Sequence, residues 1–173
     1  AMMHYSANEN SNYELKREGM FLVDSGGQYY DGTTDITRTV VLGEITEEEK
    51  RDFTLTLKGH INLISARFLH GATGSNLDVL ARYPLWQEGI DYKCGTGHGI
   101  GFLLNVHEGP HGFSQVPNKV KLEKGMIVTI EPGIYREGKH GVRIENVAVV
   151  EEDIKTDSGQ FMKFEVISYV PID

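Results

Sequence analysis

The sequence predicts an α+β fold in which two related antiparallel meanders are arranged about a pseudo-two-fold axis. Three observations carry that expectation. Gly19-Met20-Phe21-Leu22-Val23-Asp24 is echoed by Gly125-Met126-Ile127-Val128-Thr129-Ile130-Glu131: each is Gly-Met, an apolar strand, then a carboxylate beside a glycine turn. Asp35-Ile36-Thr37-Arg38-Thr39-Val40-Val41 is echoed by Glu145-Asn146-Val147-Ala148-Val149-Val150, a carboxylate on a β-branched strand both times. Between the echoes lies a stretch with helical spacing and caps. The interval exceeds a solenoid repeat, so one pseudo-symmetric domain over 1–173 is expected.

Ala1 to Tyr5 reads as a buried strand. Gly19 to Asp24 is a strand running into a carboxylate, Ser25-Gly26-Gly27 a turn, Gln28 to Tyr30 a short strand and Asp31-Gly32 a second turn. Ile36 to Leu42 alternates and completes the first meander. Thr46-Glu47-Glu48-Glu49 is a capping box. Phe53, Leu57, Ile61, Ile64 and Phe68 follow at helical spacing, so a helix is expected from Glu47 to His70, stopped by Gly71 to Gly74. Ser75 or Asn76 opens a second helix that ends before Gly89. Residues 94–112 read as irregular, glycine- and histidine-rich backbone. Strands are then expected over Gly125 to Glu131, Ile134-Tyr135, Val142 to Val150 and Phe161 to Val170.

Composition narrows the function classes. Of the 173 residues, 39% are apolar and 24% charged, enough for a real core and unlike a disordered chain. Seventeen Lys and Arg against 25 Asp and Glu give a net charge of −8 with no basic patch, which disfavours nucleic acid. The apolar runs are far shorter than a membrane-spanning helix, and no signal peptide is seen. The single cysteine, Cys94, rules out an internal disulfide and fits a reducing, cytoplasmic compartment.

Buried carboxylates are costly unless paired or bound to metal. Asp24 and Glu131 end apolar strands, and Asp35 and Glu145 are flanked by apolar or β-branched residues. If the two meanders share an axis, these four converge and need positive charge. Arg38 or Arg143 could supply some of it; two divalent cations would supply it better. His98, in a glycine-rich loop, adds a nitrogen donor. Such a hard, oxygen-rich set suits Mn²⁺, Fe²⁺ or Co²⁺ over a thiolate-type zinc site. Each residue has a bland reading when taken alone: an Asp at a strand end is ordinarily a turn residue, and His4, His107 and His111 would be unremarkable surface or structural histidines. The duplicated contexts favour the joint reading.

Rival chemistries are weaker. Gly95-x-Gly97 and Gly99-x-Gly101 lack the spacing of a dinucleotide fingerprint, and no Gly-Lys-Ser/Thr follows. Asp24-Ser25-Gly26-Gly27 is not a hydrolase elbow. A nucleophilic pair of Cys94 with His98, four residues later, remains open but has nothing else behind it.

Six segments taken together, Val23-Asp24-Ser25-Gly26-Gly27-Gln28-Tyr29, Asp31-Gly32-Thr33-Thr34-Asp35-Ile36-Thr37-Arg38-Thr39, Gly95-Thr96-Gly97-His98-Gly99-Ile100-Gly101, Asn105-Val106-His107-Glu108-Gly109-Pro110, Ile130-Glu131-Pro132-Gly133-Ile134-Tyr135 and Val142-Arg143-Ile144-Glu145-Asn146, resemble the M24-type, pita-bread metallopeptidases. That group includes methionine aminopeptidase, prolidase and Xaa-Pro aminopeptidase, and the likeness is greatest to the last branch. The segments cover nearly the whole chain in the family's order.

The resemblance implies a curved antiparallel sheet with outer helices, and a C-terminal catalytic part of a longer protein, truncated at its start. It implies Asp24 and Asp35 on one metal, with Asp35 reaching the second, His98 and Glu131 on the second, and Glu145 bridging both. A hydroxide between the metals would be the nucleophile, Glu131 would shuttle a proton, and His107 would steady the oxyanion or leaving group. His4 would stand near the scissile bond. Tyr135 and Arg143 would orient Asp24, and His111 would line the proline pocket. Cys94 stands where many members have a histidine, which alters substrate handling there. The implied activity is removal of a residue that precedes proline from a peptide, in a homodimer, with Mn²⁺ (or Co²⁺, Fe²⁺ or Zn²⁺). Prolidase action on dipeptides, or a metal-free binding module, are the alternatives, and this piece could be inactive alone.

Overall fold

The structure is a computed structural model that describes residues 3–11 and 13–172. The β-branched run after Asp35 forms a strand as its alternation requires, but the first strand is longer than its glycines suggest. Met20–Tyr29 (β1) and Gly32–Val41 (β2) make one antiparallel ribbon turned at Tyr30-Asp31. Ser25-Gly26-Gly27 is therefore strand, not turn. A Cβ at Gly26 would meet the Thr34 carbonyl oxygen at 2.6 Å, so the glycine permits close backbone approach inside the ribbon. The strand expected over residues 1–5 is not formed at Met3 to Tyr5, which are turn and coil; Ala1 and Met2 lie outside the described residues.

Helix α1 (Glu47–Ile64) starts at Thr46, where the Thr46 and Glu49 side chains cap each other's backbone N–H. It stops short of His70 because Phe68–Leu69 (β3) pairs instead with the last strand, and Phe68 enters the core. Helix α2 (Gly74–Trp86) is capped at Thr73, whose N–H donates to Asn76 Oδ1 at 2.9 Å, rather than at Ser75 or Asn76. Gly59 of α1 lies against Ala81 of α2, where a Cβ would come within 2.3 Å of the Ala81 carbonyl oxygen; glycine sets how closely the helices pack.

The glycine- and histidine-rich stretch contains two short strands, Gly97–Gly99 (β4) and Glu108–Phe113 (β5). Ile127–Ile130 (β6), Gly133–Tyr135 (β7) and Gly141–Arg143 (β8) follow. The strand expected over Val142 to Val150 is broken at Ile144-Glu145. The Glu145 N–H leaves the ladder and donates to the Thr37 carbonyl on β2 at 3.1 Å. Asn146–Thr156 (β9) and Gly159–Val166 (β10) complete an antiparallel six-stranded sheet ordered β3-β10-β9-β6-β4-β5. The ribbon β1-β2 and the hairpin β7-β8 are separate two-stranded units. Leu63, Leu77, Phe113, Leu122, Val128 and Met162 bring both helices and the sheet into one core. No helix among the described residues is long and apolar enough to cross a membrane.

Two buried polar anchors tie α1 to what it covers. Asp52 is fully buried and accepts from Arg136 Nη2 at 3.0 Å and His140 Nε2 at 2.9 Å, fastening the β7-β8 hairpin. His60 is 2% exposed and its Nδ1 donates to the Ile130 carbonyl at 3.1 Å. Burial, partly offset by that bond, lowers its pKa from 6.5 to about 4. The folded state therefore disfavours the proton. Its contribution to stability is full above pH 6.5 and is lost as the pH falls toward about 4, roughly 3 kcal/mol in all. Denaturant titrations of wild type and His60→Leu from pH 7 to pH 4 should differ in slope by that loss, since the other titrating groups act in both proteins. An unchanged pH slope in the variant would refute the assignment.

Candidate metal centre

The ribbon's register decides which side chains can meet. Asp24 lies opposite Thr37, and Asp35 lies opposite Gly26. Positions 24 and 26 share a face, as do 35 and 37, so Asp24, Asp35 and Thr37 project from the same side of the ribbon. That side faces the end of β6 and the break before β9. There Glu131, His98 and Glu145 arrive from the six-stranded sheet and its connections.

All five expected acceptors converge. One donor atom from each of Asp24, Asp35 and Glu145 lies within 4.8 Å of the others, and the same holds for His98, Glu131 and Glu145 and for Asp35, His98 and His107. Asp35, His98 and Glu145 each belong to two of these triads, and of the three only the carboxylates carry two oxygens with which to serve two neighbours. Glu145 is 1% exposed and Asp35 is 8% exposed, whereas the Asp24 side chain is 44% exposed.

Each donor is held by a neighbour. Arg143 Nη2 donates to Asp24 Oδ2 at 2.7 Å, and Arg143 Nη1 donates to the Tyr135 hydroxyl at 2.8 Å. Thr37 Oγ1 donates to Glu145 Oε2 at 2.6 Å and accepts from Arg143 Nε at 3.1 Å. Thr129 Oγ1 donates to Glu131 Oε1 at 3.0 Å while accepting the His98 N–H at 3.0 Å. Thr37 and Thr129 were not foreseen in sequence. Their one available signal is position: each stands two residues from a carboxylate on the same strand face. Arg38 turns elsewhere, to the carbonyls of Glu145 and Val170.

His98 Nδ1 donates to the Gly99 carbonyl at 2.9 Å, which leaves Nε2 to face the cluster. Nε2 is buried 3.1 Å from Glu131 Oε1 and 3.4 Å from Asp35 Oδ2, yet neither oxygen is aligned for a hydrogen bond. Burial works to lower the His98 pKa, but the Asp35 and Glu131 carboxylates and the Gly99 carbonyl outweigh it and raise it to about 10. Burial, reinforced by the charges of Glu131, Asp35 and Asp24, raises Glu145 to about 8. Beyond burial, both shifts share one cause, a surplus of negative charge that favours a positive group among these donors. A buried imidazole nitrogen with no aligned partner among the described residues, surrounded by carboxylates, fits a pair of hard divalent cations.

A cleft of about 250 Å³ opens beside the cluster, lined by His4, Cys94, His98, His107, Glu131 and Tyr135 among others. The His107 ring stands edge-on to His98 with centroids 4.2 Å apart. His4 is exposed at this cleft, close to where the Met3 carbonyl accepts from Arg143 at 3.2 Å. The Cys94 thiol is half-buried, and burial together with the Glu131 charge raises its pKa, so it is a neutral wall and not a thiolate. His111 lies on the other side of β4: its Nε2 donates to the Ile127 carbonyl at 2.9 Å, and it lines a separate shallow cleft with Gly95, Gly97 and Lys119.

Known proteins share this sequence and fold. Residues 1–152 match metallopeptidase family M24. Aminopeptidase P1 of Lotus japonicus is 50% identical over 174 residues, covering 99% of this chain and 26% of that protein. The X-prolyl aminopeptidase of Caenorhabditis elegans, described as a cytosolic enzyme with a di-nuclear active site, superposes with a TM-score of 0.91 at 44% identity, over 98% of this chain and 28% of that one. The prolidase of Pyrococcus horikoshii superposes with a TM-score of 0.79 at 28% identity, over 94% of this chain and 44% of that one. The chain spans about a quarter of the length of the curated relatives it matches.

Proposed function

This chain belongs to metallopeptidase family M24 and has its pita-bread fold, and from that premise we propose that it carries the two-metal centre of an aminopeptidase that removes a residue preceding proline. The observation that supports this most directly is the convergence of Asp24, Asp35, His98, Glu131 and Glu145 in interlocking triads. Asp24, Asp35 and Glu145 would hold one ion, and His98, Glu131 and Glu145 the other, with Asp35 and Glu145 shared. Mn²⁺ is the expected metal. Bound there, the pair would supply Lewis-acid polarisation of the scissile carbonyl and a lowered pKa for the attacking water.

The chain's own residues do the rest. Arg143, fixed by Tyr135, Thr37 and Asp24, keeps the exposed Asp24 carboxylate turned inward. Glu131, with Thr129 on one oxygen, has its other oxygen free of hydrogen bonds among the described residues, suited to taking a proton from water and passing it to the leaving amine. His107, against His98 at the cleft, donates to the developing oxyanion or to the leaving nitrogen. His4 stands at the cleft on the substrate side and Cys94 forms part of its wall, whereas His111, turned to the separate cleft across β4, is left without the proline-pocket role that the family likeness implied for it. A homodimer and a cytoplasmic location complete the proposal for the full-length protein.

Prolidase action is the second reading, favoured by the likeness to the Pyrococcus horikoshii enzyme. The donors are common to both readings, so the substrate must decide. Mn²⁺-loaded full-length protein should cleave Xaa-Pro tripeptides and longer peptides at the bond before proline. Cleavage of dipeptides alone would replace the aminopeptidase reading with the prolidase one. No cleavage of any length, with the metal bound, would reject both.

A further inference from the structure

Arg82 lies in α2, away from the carboxylate cluster, and is 2% exposed. A buried guanidinium is tolerated only where its N–H groups are answered. Here Nε donates to Asp78 Oδ2 at 2.6 Å, Nη1 donates to the Tyr92 carbonyl at 2.6 Å and to Asp91 Oδ1 at 2.9 Å, and Nη2 donates to the Cys94 carbonyl at 2.8 Å. The Tyr92 ring lies 3.9 Å from the guanidinium carbon. The other oxygen of Asp78 accepts from Thr96 Oγ1 at 2.5 Å, and the Tyr92 hydroxyl lies 2.6 Å from the same Thr96 oxygen. Tyr92, Cys94 and Thr96, alternate residues of the segment leading into β4, are therefore all fastened to one ion pair on α2.

Thr96 passes that restraint on. It is fully buried; its N–H donates to the Phe113 carbonyl at 2.8 Å, and its carbonyl accepts the Glu131 N–H at 2.7 Å. His98 follows two residues later. The glycines on either side, Gly95 and Gly97, give this segment little stiffness of its own. Metal-binding side chains must be held to within about 0.5 Å. Asp24 and Asp35 come from the ribbon and share no hydrogen bond with this network among the described residues.

We propose that the Asp78–Arg82–Thr96 network positions one half of the metal centre, setting His98 against Glu131 while leaving the Asp24–Asp35 half alone. The inference rests on the two-metal reading. Loosening the network should weaken one ion and spare the other.

The test is Mn²⁺ titration of the full-length protein, read by calorimetry and by electron paramagnetic resonance, which separates an isolated Mn²⁺ from a spin-coupled pair. Thr96→Val keeps shape and removes the hydroxyl; Arg82→Lys keeps charge and removes the fork. Each should retain one Mn²⁺ at wild-type affinity and lose about 10- to 100-fold in the other, with isolated Mn²⁺ signal appearing at two equivalents. Thr96→Ser, which keeps the hydroxyl, should bind as wild type. Both affinities unchanged, or both lowered equally, would overturn the inference. Should Arg82→Lys fail to fold, Thr96→Val decides. A wild type that binds fewer than two ions overturns the two-metal reading itself and this inference with it, an outcome recognisable without any variant.

Discussion

Full-length protein carrying Glu145→Gln is expected to lose Mn²⁺-dependent cleavage of an Xaa-Pro peptide by about 10³-fold, close to 4 kcal/mol of lost transition-state stabilisation. Glu145 is 1% exposed and belongs to two of the three donor triads, so its loss would weaken the hold on both ions. The amide keeps the volume and can still accept from Thr37. It removes the charge that two cations would share and turns an N–H₂ toward them. The fold should survive, because the Glu145 backbone bond to Thr37 does not involve the substituted group. Asp35→Asn should behave alike, since Asp35 is the other shared carboxylate. Metal analysis after dialysis should show fewer than two ions in either variant. Wild-type activity in Glu145→Gln would reject the two-metal mechanism.

The second large effect is on the pH dependence of metal binding. At pH 7 the metal-free cluster is expected to carry a proton on His98, whose pKa is raised to about 10, and one on Glu145, raised to about 8. Cations bind only the deprotonated donors, so loading must expel those protons. The sign follows: affinity rises with pH, steeply below about 8 where both protons are displaced, and less steeply above it. Between pH 6 and 8 the combined affinity should rise on the order of 10- to 100-fold per pH unit. Calorimetry in buffers of different ionisation enthalpy at pH 7 should count about two protons released. Equal affinity at pH 6 and pH 8, with no proton release, would show that the cluster binds no cation through these groups.

How far these features could be read in advance depends on how local their cause is. Thr46 and Glu49 lie three residues apart, and their reciprocal cap was legible because nothing distant is needed to form it. The end of α1 was not, because Phe68 and Leu69 are drawn off by Phe161 and Met162, partners far along the chain. Glycine misled at Ser25-Gly26-Gly27: the residue that usually marks a turn serves there to let the backbone of Thr34 come close. At Glu145 the β-branched run argued for a continuous strand, but its N–H is taken by the Thr37 carbonyl and its carbonyl by Arg38, both far along the chain.

The carboxylates themselves were legible because they came in duplicated contexts and in segments that a known family shares. The groups that hold them were less so. Arg143 and Tyr135 could be named from that family likeness. Thr37, Thr129, Asp78, Arg82 and Thr96 are ordinary residue types at ordinary spacings, and only the folded chain shows that their hydroxyls and charges meet. Buried polar networks of this kind leave no periodic trace in the sequence, since each member looks like a solvent-facing or turn residue until its partner is known.

Among the described residues the ribbon β1-β2 shares no strand pairing with the six-stranded sheet, yet it delivers Asp24 and Asp35 to donors that sheet and its connections supply. Ions seated between them would act as a clasp across a seam that the backbone ladder leaves open. Linkage then runs both ways: whatever stills the ribbon tightens the ions, and chelation should set residues 20–41 free to breathe as a unit.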